Sequence, residues 1–265
     1  MDNLTKFNEN IFRLTIPYKD IFTTVYLIKT SQGVMLFDVA STNDDVENYI
    51  IPFLNELNIS VDMLKYVFIS HNHRDHSGGL NKLIQEFPNA CIISCSLELK
   101  ELYKCCNFVL PEDNQMFSDV LKVITIPGHT YDSCGILDTR TNTLITGDCL
   151  QFYGIYGSGN WACNITLIDE HMEALDKIRN LNIDNVLMAH DYHPCGFMLS
   201  GNDNINSSLD LCIEPLLFIR DIIIRNPDLN DEEIQSIYNN SENIPTVKTA
   251  VITALRKAIS DGRFI

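Results

Sequence analysis

The sequence predicts an α/β fold, on three observations. Short runs rich in Val, Ile and Phe alternate with stretches whose apolar residues recur at helical spacing. Turn-forming residues punctuate the boundaries. Apolar residues make up 45% of the 265, with both charge signs present. That is the composition of a globular chain with room for one large domain plus an appendage, or two small ones.

Taken in order, Ile11–Ile16, Thr24–Lys29 and Val34–Phe37 read as strands, with Thr30-Ser31-Gln32-Gly33 turning between the last two. Tyr18 and Phe22 fall in the loop between the first two. Residues 45–57 carry Val46, Tyr49, Ile50, Phe53, Leu54 and Leu57 at helical spacing, and Pro52 predicts a kink or early stop. Leu64–Ile69 reads as a strand, Leu80–Phe87 as a helix, Cys91–Ser94 as a strand and Leu97–Cys105 as a helix. Strands return at Val120–Thr125, Ser133–Leu137 and Thr143–Thr146. A helix over Leu167–Asn180 has Met172, Leu175, Ile178 and Leu181 as its inner stripe, which puts His171 at the surface or only partly packed.

The texture changes after Leu199. Residues 200–204 form a linker-like turn cluster, and Leu209–Ile224 is strongly apolar, with Pro215 near its start. Asn230 with Glu233 three residues on predicts a capping box. Residues 246–260 carry one apolar stripe, closed by Gly262. The expected organisation is a catalytic domain over residues 1–200 and a helical extension over 201–265. That extension packs on the domain, covers a site or forms a homodimer contact.

The chemistry is concentrated in His71-Asn72-His73-Arg74-Asp75-His76, which directly follows the apolar run Tyr66–Ile69. Neutral imidazoles bind borderline cations such as zinc, and a carboxylate adds charge and basicity. Alternation turns His71 and His73 to one side, leaving Asp75 and His76 for a second ion. A His-rich solvated turn is the bland alternative. Against it, His129 follows Pro127-Gly128 after an apolar run, Asp148 follows Gly147 after Thr143–Thr146, and His190 closes Asn185–Ala189. Each stands where a strand hands over to a loop, the usual mounting for binding residues.

Ser70-His71-Asn72-His73-Arg74-Asp75-His76-Ser77-Gly78-Gly79 resembles the HxHxDHxGG signature of the metallo-β-lactamase superfamily. Pro127-Gly128-His129-Thr130, Thr146-Gly147-Asp148 and Ala189-His190 resemble its later ligand motifs in the same order, and Asp38 its first motif. The resemblance covers roughly the first 200 residues. It implies a four-layer αββα sandwich with the metals at the sheet edges. It also implies one ion on His71, His73 and His129, a second on Asp75, His76 and His190, and Asp148 bridging both. Two zinc ions are the implied cofactors, with iron or manganese also suited to the donors.

Branches of the family differ at readable positions. The commonest true β-lactamases carry Cys where Asp148 stands and lack His76, whereas here Cys149 reads as an ordinary half-buried thiol. Flavodiiron proteins replace His73 with Glu. The basic and proline-rich segments of transfer-RNA processing nucleases have no counterpart. What remains resembles the glyoxalase II and lactonase type: hydrolases in which a metal-bridging hydroxide attacks an ester, thioester or lactone carbonyl, with Asp75 as the catalytic proton acceptor. Tyr153, Tyr156 and Tyr192 are candidate substrate contacts, and His193 competes with His190 for the ligand role. A phosphodiesterase of the same fold, with Arg74 beside the site, and a mononuclear iron persulfide dioxygenase remain open.

Composition narrows the partners. A formal charge of -16, from 19 basic and 35 acidic residues, repels nucleic acid and suits a small-molecule substrate. No apolar segment approaches the roughly 20 residues that cross a bilayer. Residues 1–10 lack the layout of a secretory signal, and the nine cysteines lack a framework-like spacing. Reduced, mostly buried thiols in a cytoplasmic enzyme are expected.

Overall fold

The structure, a computed structural model, describes residues 3–158, 161–241 and 245–264. It is mixed α/β, its strands fall into two sheets, and the chain divides into two compact units. The first comprises residues 1–125 and 134–140, the second residues 126–133 and 141–265.

In the first unit, one sheet takes its strands in chain order: β1 (Leu4–Lys6), β2 (Ile11–Tyr18), β3 (Ile21–Thr30), β4 (Gly33–Phe37), β5 (Leu64–Ile69), β6 (Cys91–Ser94) and β7 (Phe108–Val109). β1 to β4 form an antiparallel meander, and β4 to β7 run parallel. Parallel neighbours need crossover connections. Helical segments within residues 43–56, 74–86 and 97–102 supply them. Leu14, Val25, Leu27, Leu36, Val67 and Ile69 of the sheet bury against Val46, Ile50, Phe53, Leu54, Leu80 and Leu83. The unit also contains an antiparallel ladder of β8 (Met116–Phe117), β9 (Leu121–Thr125) and β10 (Cys134–Asp138).

In the second unit, β13 (Asn185–His193) is central. It pairs in parallel with β11 (Thr143–Ile145) and antiparallel with β12 (Gly154–Ile155) and β14 (Gly196–Ser200). Helices follow at Ile168–Asn180, Asn202–Leu211, Glu214–Arg225, Asp231–Asn239 and Thr249–Ser260. Ile168 shares a core with Leu216, Ile219, Ile234, Tyr238, Val251 and Leu255, so the C-terminal helices pack on the helix that precedes β13. The capping box forms, with the Asn230 side chain accepting from Glu233 N–H and Glu233 from Asn230 N–H. Gly262, at φ 74°, follows the last helix.

Several expectations are corrected. Pro52 does not break its helix. Val46–Ile50 widens to the i→i+5 pitch, and Pro52 falls in the first turn of Ile51–Glu56, where a missing N–H costs little. Residues 200–204 are no linker, because β14 ends at Ser200 and a helix starts at Asn202. Strand β13 continues through His190 to His193, so His190 lies inside the strand rather than at its end. Tyr18 and Phe22 belong to β2 and β3 rather than to the loop between them. The thiols are less uniformly buried than expected: Cys134, Cys149, Cys163 and Cys212 are buried, while Cys105 is exposed. Among the described residues, no helix is long and apolar enough to cross a membrane.

His171 is the largest departure. The helix Ile168–Asn180 buries Ile168, His171, Ala174, Leu175 and Ile178, so the stripe is rotated and the histidine lies within it. Burial, with His129 nearby, lowers its pKa to about 4. Such a group is neutral in the fold but protonated in the unfolded chain between that value and the ordinary one. Stability is therefore present above about pH 6.5 and lost as pH falls toward 4, at about 1.4 kcal/mol for each pH step of one across that window. In metal-free protein, His171→Phe should shrink the stability difference between pH 7.5 and 4.5 by on the order of 3 kcal/mol, read by urea unfolding; an unchanged difference contradicts a buried neutral imidazole. Phe53→Ala should cost about 3–5 kcal/mol in the same assay, against under about 0.5 kcal/mol for Leu102→Ala, whose side chain is 72% exposed.

Candidate metal centre

In the first unit the donors sit on the loop that leaves β5. Asp38, just after neighbouring β4, lies below them with φ at 62°, a left-handed conformation that a short polar side chain tolerates. Its carboxylate accepts from Ser70 N–H at 2.8 Å, Ser70 Oγ at 2.9 Å and His76 Nδ1 at 2.8 Å. Burial pushes the Asp38 carboxyl up, and His76 and the hydrogen bonds from Ser70 oppose it. Ser70 Oγ also contacts His71 Nδ1 at 3.1 Å. Thr23 of β3 donates to the Asp75 carbonyl at 3.1 Å. The paired glycines let this loop lie on the backbone after β4: a Cβ on Gly78 would come within 2.0 Å of the Ser41 carbonyl, and one on Gly79 within 2.2 Å of that of Val39.

Hydrogen bonds at one ring nitrogen fix which nitrogen is left to ligate. The Asp38 bond turns His76 Nε2 toward Asp75 Oδ2, at 3.6 Å. His71 Nε2 lies 2.9 Å from His73 Nδ1. The first unit thus offers two donor pairs, His71 with His73 and Asp75 with His76.

In the second unit, His129 follows Gly128, whose φ of 148° and closeness to His171 exclude a side chain. His129 Nδ1 donates to the Asn164 carbonyl at 2.8 Å, which leaves Nε2 as the lone-pair nitrogen. That nitrogen is 3.6 Å from Asp148 Oδ2, and His190 Nε2 is 3.2 Å from Asp148 Oδ1. One carboxylate oxygen therefore faces each imidazole. Tyr192 OH donates to Asp148 Oδ1 at 3.1 Å, and Gln151 Nε2 donates to Tyr192 OH and the Asp148 carbonyl. Asn164 N–H closes the network on Gln151 Oε1.

These spacings fit a cation. Two donors each about 2.1 Å from one ion at a tetrahedral angle lie about 3.4 Å apart. The Nε2-to-carboxylate separations of 3.2 and 3.6 Å match that value, and those of 3.6 Å are too long for a hydrogen bond.

Other candidates are placed differently. Tyr192 is 1% exposed and turned to Asp148, so its hydroxyl faces the donor set and is not an open substrate wall. Tyr153 and Tyr156 pack on His193, with ring centroids 6.3 and 4.9 Å away, and Tyr156 is 44% exposed. His193 is exposed, whereas His190 is 1% exposed and faces Asp148. Gly159 and Asn160, which follow Tyr156 closely, lie outside the described residues. Cys149 is fully buried rather than half-buried, and burial beside Asp148 pushes its thiol up, keeping it protonated. Gln151 and Asn164 were not anticipated, because nothing in their sequence neighbourhood marks a polar residue as a hydrogen-bond partner. Asp38→Asn should weaken metal binding about 10–100-fold in a chelator competition; unchanged affinity contradicts the orienting role assigned to the carboxylate.

Comparison with known proteins bears on the fold. Residues 18–95 match the metallo-beta-lactamase superfamily. A hydroxyacylglutathione hydrolase of Vibrio campbellii is 27% identical over 225 residues, spanning 78% of this chain and 84% of that protein. The crystal structure of a metallo-beta-lactamase family protein from Thermus thermophilus superposes with a TM-score of 0.71 at 14% identity, covering 97% of this chain and 95% of that one. A metallo-beta-lactamase from Pontibacter korlensis gives 0.61 at 16% identity, over 79% and 97% respectively. At such identities the structural likeness concerns the fold alone, and it is the fold that the motifs implied. Over residues 18–95 the chain is similar to the metallo-β-lactamase superfamily, and its mixed α/β fold is that of the metallo-beta-lactamase structures it superposes on.

Proposed function

We propose that the chain is a dinuclear metallo-hydrolase of a small thioester, ester or lactone. In this reading His71, His73 and His129 would hold one ion, Asp75, His76 and His190 would hold the other, and Asp148 would serve both. The observation that carries it is the Asp148 carboxylate, whose two oxygens face two different imidazoles. A carboxylate serving one ion has no need of that arrangement. The hydroxyacylglutathione hydrolase relative favours thioesters within the class. Zinc suits the donors, as do iron and manganese.

When bound, a pair of divalent ions supplies a hydroxide near neutral pH and positive charge for the anionic tetrahedral state. The protein's own groups do the rest. Asp75, half-buried beside His76, orients the attacking water and takes up its proton. Asp38 and the Asn164 carbonyl hold His76 and His129 with Nε2 available. Tyr192 fixes the Asp148 oxygen that also faces His190. Tyr156 is exposed enough to reach a substrate carbonyl. The imidazoles must be neutral to act, so turnover should decline as pH falls toward about 6.5.

Protein purified without added metal should contain close to two zinc atoms per chain and hydrolyse members of a thioester and ester panel. His73→Ala should lower metal content and cut turnover by at least about 100-fold. One iron per chain with oxygen consumption on a persulfide would replace this reading with a dioxygenase. Full hydrolysis by the His73 variant would overturn the site.

A further inference from the structure

We propose that Gln151 is a positioning residue for both ions of the metallo-hydrolase reading, on which the proposal rests. Its side-chain amide sets the direction of the hydrogen bonds behind Asp148 and behind His129, and so governs how tightly each ion is held. The residues concerned, Gln151, Asp148, Tyr192, Asn164 and His129, all belong to the second unit.

Gln151 comes three residues after Asp148 and is 5% exposed. An amide is costly to bury unless its polar groups are paired. Here each is paired. Nε2 donates to the Asp148 carbonyl at 3.0 Å and to Tyr192 OH at 3.2 Å, and Oε1 accepts from Asn164 N–H at 3.2 Å. Two of these three partners are backbone groups, whose polarity cannot reverse. A flipped amide would set its nitrogen against Asn164 N–H, donor on donor, and its oxygen against the Asp148 carbonyl, acceptor on acceptor. The amide therefore has a single orientation.

That orientation dictates two further bonds. Tyr192 receives a proton from Nε2, so its own hydroxyl proton points to Asp148 Oδ1, 3.1 Å away. This is the oxygen that also faces His190. On the other side, Asn164 carries the polarity through one residue. Its N–H is held by Gln151, and its carbonyl accepts from His129 Nδ1 at 2.8 Å. The groups form a ring, from Asp148 Oδ1 through Tyr192, Gln151, Asn164 and His129 back to Asp148 Oδ2. A buried network in which every member is paired is stiff, and Gln151 is where its two arms meet. Filling space alone asks for no such residue, since methionine has a similar length and no polar group to satisfy.

The arms separate this role from packing, because Tyr192 carries one of them and Gln151 carries both. In chelator competition on the whole chain, first freed of metal and then titrated with zinc, Tyr192→Phe should raise one of the two Kd values about 10–100-fold and leave the other at the native value. Gln151→Met should raise both. A second readout needs no metal. With isotope-labelled histidine in metal-free protein, NMR should show the His129 Nδ1 proton exchanging with solvent about ten-fold faster in Gln151→Met, the effect of loosening one hydrogen bond. In Tyr192→Phe it should exchange at the native rate.

Native Kd values in Gln151→Met, or a native exchange rate there, overturn the proposal. So does Tyr192→Phe if it weakens both ions alike or neither, whether or not Gln151→Met folds. A native protein that takes up one ion or none refutes the dinuclear reading instead, and the exchange rates then decide the role of Gln151 by themselves.

Discussion

The rest of the site depends on how Asp148 is held. Its oxygens face His129 on one side and His190 on the other, and Tyr192, Gln151 and the carbonyl of Asn164 lock that geometry from behind. A buried carboxylate is costly unless positive charge and hydrogen bonds offset it, and the donor distances have the spacing that a cation would set. Asp38 repeats the logic in the first unit, where a buried carboxylate orients His76 and organises Ser70.

The fold delivers these groups by simple means. β4 and β5 run side by side in parallel, so the residues that follow them, Asp38 and the His71–His76 loop, emerge at the same end of the sheet. The glycines at 78 and 79 let the loop lie against the backbone that leaves β4. In the second unit β11 and β13 also run parallel with Ile145 paired to Leu187, so Asp148, just after β11, and His190, within β13, each lie three residues beyond that pair. Helix Ile168–Asn180 backs the Gly128 turn, which places His129.

How much of this could be read beforehand depended on whether the signal was local. The grouping of potential donors in the His71–His76 loop was legible because His, Asp and Gly stand at fixed offsets within one short segment. The strands at Leu64–Ile69 and Cys91–Ser94 and the capping box at Asn230 were legible because period and cap chemistry are short-range. Two-residue strands such as β7 and β12 carry no period to read. Pro52 misled because a wider helical turn before it moves the missing N–H to where no partner is required. The burial of His171 and the hydrogen bond from Tyr192 to Asp148 are tertiary facts, set by packing partners far away in the chain.

Anomalous diffraction at the metal absorption edge, from crystals of protein purified without added metal, addresses the central claim most directly. The account predicts two peaks flanking the Asp148 side chain, one reached by each carboxylate oxygen. A single peak ligated by one oxygen, or none near that carboxylate, would contradict it.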